Sequence, residues 1–397
     1  MINKDIRLYI HIPFCMQKCN YCDFLSFPEE KDKRSQYINA LKKEVRVRLS
    51  ERADRTGDVR ITSVFFGGGT PTVLSGEDLA EILDEIRDCA LIAGEGGASE
   101  NAEITCEANP CTLNAHKAQV LREAGFNRLS IGAQSMNDEN LKLLGRLHDR
   151  DIFFRAFEYA RKAGFSNLNL DMMFGLPGQT VRAWEEELRE AAGLESEHIS
   201  VYALELYEGT PLFALRDRYR WPSDEELREM YDRTGAILAE YGLERYEISN
   251  YAKSGFESRH NSGYWTGDEY LGFGLGASSF EKDVRYPDIA AEAVRYKNTD
   301  DISLYLEKSD KPRLLQTDLQ ILEKRDLESE FMVLGLRMTN GVPEREFSER
   351  FGEEIDEVFG NEIERYVRSG FMIREGGRIR LAEKALFVSN AILAELI

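Results

Sequence analysis

The sequence predicts an α/β protein, a partial parallel barrel of six strand-then-helix units, (β/α)6, followed by a mostly helical tail. Three observations carry this. Short β-branched or alternating apolar runs recur through the first two-thirds of the chain, and each is followed by a helix-like segment. Such β-then-α units in series form a parallel sheet through right-handed crossovers. The chain has 397 residues, 42% hydrophobic and 31% charged. That is globular composition, which excludes a disordered or fibrous chain. At roughly 150 residues per domain the length fits two to three domains, or one large α/β barrel with additions.

The elements follow in order. Leu8, Ile10 and Ile12 alternate along 6–12 and predict the first strand, with a helix over 32–50. The run 61–66 predicts a strand ending in Gly67-Gly68-Gly69, and Ser75 is a fitting N-cap for a helix over 76–91. A strand at 102–107 precedes a helix at 112–124 ending at Gly125. A strand at 128–132 precedes helices at 137–145 and 149–163, and a strand at 168–173 precedes a helix at 179–193. The sixth strand is 198–204. Chemistry on such a sheet belongs to the loops after the C-terminal strand ends.

Regularity weakens beyond about residue 205. A helix is expected over 223–241, a short strand over 246–249, and a glycine- and aromatic-rich stretch at 260–284. The polar stretch 297–312 reads as a linker, followed by helices at 317–338, 344–351 and 354–369. Runs at 371–373 and 378–381 flank Gly376-Gly377 and predict a hairpin. Helix, helix, hairpin is the order of a winged-helix module, and a small packing domain fits it equally. The resulting division is 1–225 for the core barrel, 226–300 for a barrel extension and 301–397 for a helical, winged-helix-like C-terminal domain.

Asp plus Glu is 71 and Lys plus Arg is 51, a net charge of −20 at pH 7. A chain so acidic repels a phosphate backbone, so no nucleic-acid partner is expected. No apolar run reaches the roughly 20 residues that cross a bilayer, and no signal-peptide pattern precedes the first strand. Peripheral membrane contact and a homodimer stay open. Six cysteines in this length form no disulfide framework, and a reducing cytoplasmic location is the expectation.

Three of those cysteines, Cys15, Cys19 and Cys22, fall within eight residues directly after the first strand. Three thiolates so close wrap one face of an iron–sulfur cluster, and a four-iron cubane then keeps one iron free for another ligand. Zinc or redox thiols are the alternatives, but no fourth ligand lies nearby at zinc spacing. Gly67-Gly68-Gly69-Thr70-Pro71-Thr72 follows the second strand and permits close backbone approach to a ligand. It lacks the Gly-Lys-Ser/Thr of a Walker A loop. Glu107, Gln134, Arg146 and Asp171 recur at or just after later strand ends, on what would be one mouth of the barrel.

Together these blocks resemble the radical S-adenosylmethionine (SAM) superfamily, and within it the branch of oxygen-independent coproporphyrinogen III oxidases and haem chaperones. The resemblance is strong over 6–180, moderate to 285 and thin in the tail. It implies a [4Fe–4S] cluster on Cys15, Cys19 and Cys22. It also implies a SAM site formed by Tyr9, Gly68, Gly69, Thr70, Glu107, Gln134, Arg146 and Asp171. Tyr21, between the second and third cysteines, matches an aromatic position near adenine, although a loop-packing tyrosine looks the same.

Three departures favour the haem-chaperone branch. The oxidases resemble Cys-x3-Cys-x2-Cys-Gly-Cys, whereas Asp23 and Phe24 follow Cys22 here. Tyr9 lies close to the start, leaving no room for the oxidase's N-terminal extension. His260-Asn261-Ser262-Gly263-Tyr264-Trp265 matches the chaperones' His-Asn-x-x-Tyr-Trp motif. An imidazole ligates haem iron, and flat aromatic faces suit a macrocycle. His260, Tyr264 and Trp265 are therefore the haem-associated candidates, and packing at the barrel mouth is the alternative. The implied function is a haem chaperone that binds haem, one [4Fe–4S] cluster and SAM and passes haem to an acceptor protein. The competing reading is SAM-dependent oxidative decarboxylation of coproporphyrinogen III to protoporphyrinogen IX.

Overall fold

Alternation along the strands decides which side of the sheet meets the helices. In β1 (Asp5–Ile12), Ile6, Leu8, Ile10 and Ile12 are fully buried toward the helical layer. The two-residue period turns Arg7, Tyr9 and His11 to the opposite face. A computed structural model describes residues 4–28, 31–95, 101–286 and 289–397. It contains the expected (β/α)6 core.

The remaining core strands are β2 (Arg60–Gly68), β3 (Glu103–Ala108), β4 (Arg128–Gln134), β5 (Leu168–Phe174) and β6 (His198–Ala203). Each pairs in parallel with the next. The crossovers are α1 (Lys31–Thr56), α2 (Gly76–Cys89), α3 (Ala115–Glu123), α4 (Asp138–Leu143), α5 (Arg150–Lys162) and α6 (Val181–Ala192). Ser75 caps α2 as expected, in a reciprocal box with Asp78. Leu129, Ile131, Leu168, Leu170 and Ile199 pack the apolar core beneath the helices. The inner face is polar, and the registers put Glu107 beside Ser130, Ser130 beside Asn169, and Asn169 beside His198.

Beyond β6 come α7 (Asp224–Ala239), β7 (Glu244–Arg245), β8 (Asn250–Ala252), α8 (Arg259–Trp265) and β9 (Tyr270–Phe273). β9 adds in parallel on the free side of β1, pairing Tyr9 with Gly272. Then β10 (Ser278–Tyr286), β11 (Ile289–Asn298) and β12 (Gln316–Leu322) continue the same sheet as antiparallel strands. The strand order is β7-β8-β6-β5-β4-β3-β2-β1-β9-β10-β11-β12. A buried polar seam fastens this extension to α1: Arg48, paired with Glu44 of its own helix, donates to Tyr296 Oη at 2.7 Å and Ser279 Oγ at 3.0 Å, and Arg52 pairs with Glu269.

Three sequence expectations change. The stretch 246–249 is the turn between β7 and β8 rather than a strand, with Glu247 buried and accepting from Ser249 N at 3.0 Å. The presumed linker 297–312 carries helix α9 (Ile302–Lys308), whose buried Tyr305 donates to Glu44 at 2.7 Å. Its charges face outward, and one aromatic anchor holds it down. The helix expected over 317–338 is edge strand β12 followed by α10 (Lys324–Gly335). Pairing with β11 overrides the local helical pattern there.

The tail has α11 (Glu344–Phe351) and α12 (Ile355–Arg368), matching the two expected helices. The hairpin is β14 (Met372–Glu375) with β15 (Arg378–Leu381), and β13 (Val342–Pro343) adds to β15 as a third strand.

Candidate functional site

The cysteine loop leaves β1 and returns through Phe27, whose N–H donates to Pro13 O at 2.9 Å. Cys15 is buried, Cys19 and Cys22 are half-buried, and Cys22 N donates to Cys19 O at 3.2 Å. Burial raises the Cys22 thiol pKa, and Cys19 and Cys15 add to the rise. Three sulfurs close enough to repel one another as thiolates gain from a cationic centre. Among the described residues no group of three His, Cys, Asp or Glu side chains converges tightly enough for a single metal ion.

The glycine-rich loop after β2 lies against this loop. A Cβ on Gly69 would sit 2.7 Å from Phe14 O and 3.1 Å from Cys15 Sγ. Gly68 has φ +111, a conformation side chains avoid, and a Cβ there would meet the His11 ring at 2.6 Å. Thr70 Oγ1 lies 3.5 Å from Cys15 Sγ. From the far side, Arg146 reaches Cys19 Sγ at 3.5 Å and donates to Gly132 O at 2.8 Å. Its Nε is buried without a partner among the described residues, a donor left for a ligand. Gln134 ends β4 at a bulge with φ 67, and its amide lies beside Gly132 and Arg146. The thiols, the glycine cradle and an unpaired guanidinium donor fit a cluster carrying a SAM-like ligand.

Two carboxylates complete the mouth. Glu107 accepts from Gly68 N at 3.3 Å. Burial, then the nearby Asp171, pushes its pKa up to about 8. Asp171 is also raised, by burial, against hydrogen bonds from Asn169 at 2.7 Å and Ser130 at 3.2 Å. Tyr21 packs on Leu144, Met173 and Leu176 at the rim of the site.

Tyr9 reaches the cluster loop through His11. Leu25 O can only accept, so His11 Nε2 donates to it at 3.0 Å, and Nδ1 accepts from the Tyr9 hydroxyl at 3.0 Å. Tyr9, His11, Gly68, Glu107, Tyr264 and Tyr270 line a cavity of about 380 Å³ in the barrel.

Helix α8 splits its motif between two surroundings. His260 is buried, stacks on Phe65 at 5.1 Å, and bonds Ser63 Oγ and Tyr264 Oη, each at 2.9 Å. Both ring nitrogens are thus engaged inside the protein. Tyr264 faces the cavity. Trp265 turns toward the tail, lying 4.5 Å under the Arg337 guanidinium, and its indole N–H has no partner among the described residues.

Three further histidines lie buried inside the protein. His11 supports the cysteine loop, and His148 and His198 are buried rather than superficial. His148 Nε2 donates to Ala133 O at 3.1 Å. The inward turn of alternate strand residues is the signal that could have found His198.

Fold and site together define the class, a radical SAM protein. The profile of the Radical SAM superfamily matches residues 9–191, and that of the HemN C-terminal domain matches 322–388. The solved coproporphyrinogen III oxidase HemN from Escherichia coli superposes with a TM-score of 0.82 at 21% identity, covering 98% of this chain and 89% of that one. At that identity the likeness is one of fold. Heme chaperone HemW from Bacillus subtilis is 35% identical over 396 residues, covering 97% of both chains. HemW from Haemophilus influenzae is 33% identical, over 98% of this chain and 97% of its own. The chain belongs to the HemW family of radical SAM proteins.

Proposed function

We propose that this protein is a haem chaperone. In this reading it binds one [4Fe–4S] cluster through Cys15, Cys19 and Cys22, binds SAM at the barrel mouth, binds haem, and delivers haem to an acceptor protein in the cytoplasm. The observation that carries the reading is full-length likeness to proteins named as haem chaperones. The motif on α8, beside the cavity, agrees with it. When bound, the cluster supplies an electron and one open iron position. The chain's own residues bind and orient. Arg146 and Asp171 offer charge-assisted bonds to a zwitterionic ligand, Glu107 offers an acceptor for hydroxyls, and Gly68 and Gly69 offer backbone at close range.

For haem, we read Tyr264 and Trp265 as the contact faces and His260 as their support, because its two nitrogens are already bonded. We also read 1–225 as the core, 226–300 as its extension and 301–397 as the tail unit, while noting that β12 belongs to the barrel sheet. The test is anaerobic purification followed by parallel haem titration and coproporphyrinogen III turnover. Haem binding without turnover supports the reading, and turnover without stable haem binding refutes it.

A further inference from the structure

Between the Asp171 carboxylate and helix α8 runs an unbroken file of buried hydrogen bonds. Its polarity is fixed at one end by charge. Asp171 can only accept when ionised, so the Asn169 amide nitrogen faces it at 2.7 Å and donates. The same nitrogen donates to Ser130 Oγ at 2.6 Å, and Ser130 donates onward to Asp171. Asn169 Oδ1 therefore faces away, accepting from Ser200 Oγ at 3.1 Å and from His198 Nδ1 at 2.6 Å. Because Nδ1 carries the proton of a neutral ring, Nε2 accepts, and the Tyr246 hydroxyl donates to it at 2.8 Å. Tyr246 Oη in turn accepts from Ser258 N at 3.2 Å. Ser258 is the N-cap of α8, and that helix end is also held by Glu103 of β3. Ser130, Asn169, Ser200, His198, Tyr246 and Ser258 are all buried. The sheet register places Ser130, Asn169 and His198 side by side, so the file follows from the pairing of β4, β5 and β6.

Each group in the file has one donor direction that satisfies both neighbours. Reversing any one member leaves a buried donor facing a donor, or an acceptor facing an acceptor, which is costly away from water. The Asn169 amide cannot turn over while Asp171 is charged. A ligand that engages Asp171 also strengthens the preference for this one arrangement, which ends on the amide that opens α8.

We propose that His198 is a positioning residue, fixing Asp171 through Asn169 and tying it through Tyr246 to the N-terminus of the helix that bears His260, Tyr264 and Trp265. Occupation of the Asp171 side of the barrel and the order of α8 are then coupled. This rests on the reading that SAM occupies that side.

The experiment uses full-length, cluster-reconstituted protein with SAM as the probe. SAM affinity is measured by equilibrium dialysis, and amide exchange over 259–265 is followed by mass spectrometry with and without SAM. His198→Phe, which removes a donor from Asn169 Oδ1, should weaken SAM binding on the order of tenfold, the upper end of what a hydrogen bond between neutral groups contributes. Iron content should be unchanged, and His198→Gln, whose amide offers a donor and an acceptor, should recover most of the affinity. Tyr246→Phe removes the hydroxyl without emptying the site. It should keep SAM affinity within a few-fold while abolishing the slowing of exchange in α8 that SAM produces in the parent. Failure of His198→Phe to fold shifts the decision to Tyr246→Phe alone. Unchanged affinity in a folded His198→Phe, or equal protection of α8 with and without the Tyr246 hydroxyl, overturns the proposal. If SAM does not bind the parent, or Asp171→Asn leaves its affinity untouched, the SAM reading itself fails and takes the proposal with it.

Discussion

His260 Nε2 and Tyr264 Oη stand 2.9 Å apart across one turn of α8, and the other nitrogen of the same ring is 2.9 Å from Ser63 Oγ. A histidine so held is part of the barrel wall. Burial first, then Arg7 and Arg128, lowers its pKa to about 3.

That shift gives a stability prediction with a definite sign. The folded pKa lies below the unfolded value, so the unfolded chain takes up the proton first as pH falls. The cost is absent above about pH 6.5 and grows below it, reaching about 2 kcal/mol at pH 5. Relative to the parent, His260→Gln should therefore lose less stability between pH 7 and pH 5 in urea denaturation. Glu107 and Asp171, raised in the folded state, act in the opposite sense, so the comparison must be between variant and parent. Identical pH slopes contradict the buried neutral ring.

Gly69 is a loop-packing position before it is a ligand position. Its missing Cβ would fall 2.7 Å from Phe14 O, a backbone atom. Gly69→Ala should lower stability by roughly 1–3 kcal/mol, as overpacking does, and displace Cys15. Reduced iron incorporation together with a lower Tm is the expected pair of results. Gly69→Val is therefore no clean probe of SAM contact alone.

The cysteines separate by role. Cys15→Ala, Cys19→Ala and Cys22→Ala should each prevent assembly of a stable [4Fe–4S] cluster, whereas Cys89→Ala, with its thiol beside Glu85 on α2, should leave iron content unchanged. Iron and sulfide analysis after anaerobic reconstitution checks this, and full iron in a triple Cys→Ala variant contradicts it.

Asp171→Ala should weaken SAM binding by about 1.5–3 kcal/mol, the value of a hydrogen bond involving a charged group. Asp171→Asn should lose less, because it keeps one acceptor for Asn169. Equal affinities for the parent and both variants would move the SAM site elsewhere.

How much of this was legible beforehand varies with the physics. Cys15, Cys19 and Cys22 are near neighbours in the chain, so their chemistry shows in spacing. Glu107, Gln134 and Asp171 could be gathered because a parallel sheet brings its strand ends to one mouth. His11, Asn169 and His198 were not legible as a buried set. In an isolated strand, a polar residue alternating with apolar ones reads as the solvent side. Only closure of the barrel turns that side inward. Tyr305 and β12 were missed for a related reason, since a single aromatic anchor and an edge pairing leave little local pattern.

The central claim is that this chain holds haem without transforming a porphyrinogen. Its most direct test is an anaerobic incubation of cluster-replete protein with SAM, a reductant and coproporphyrinogen III, read by chromatography of the oxidised porphyrins, beside a haem titration of the same sample. The account predicts saturable haem binding, weakened by Tyr264→Ala or Trp265→Ala, and recovery of coproporphyrin unchanged. Multiple turnovers to the protoporphyrin product would contradict it.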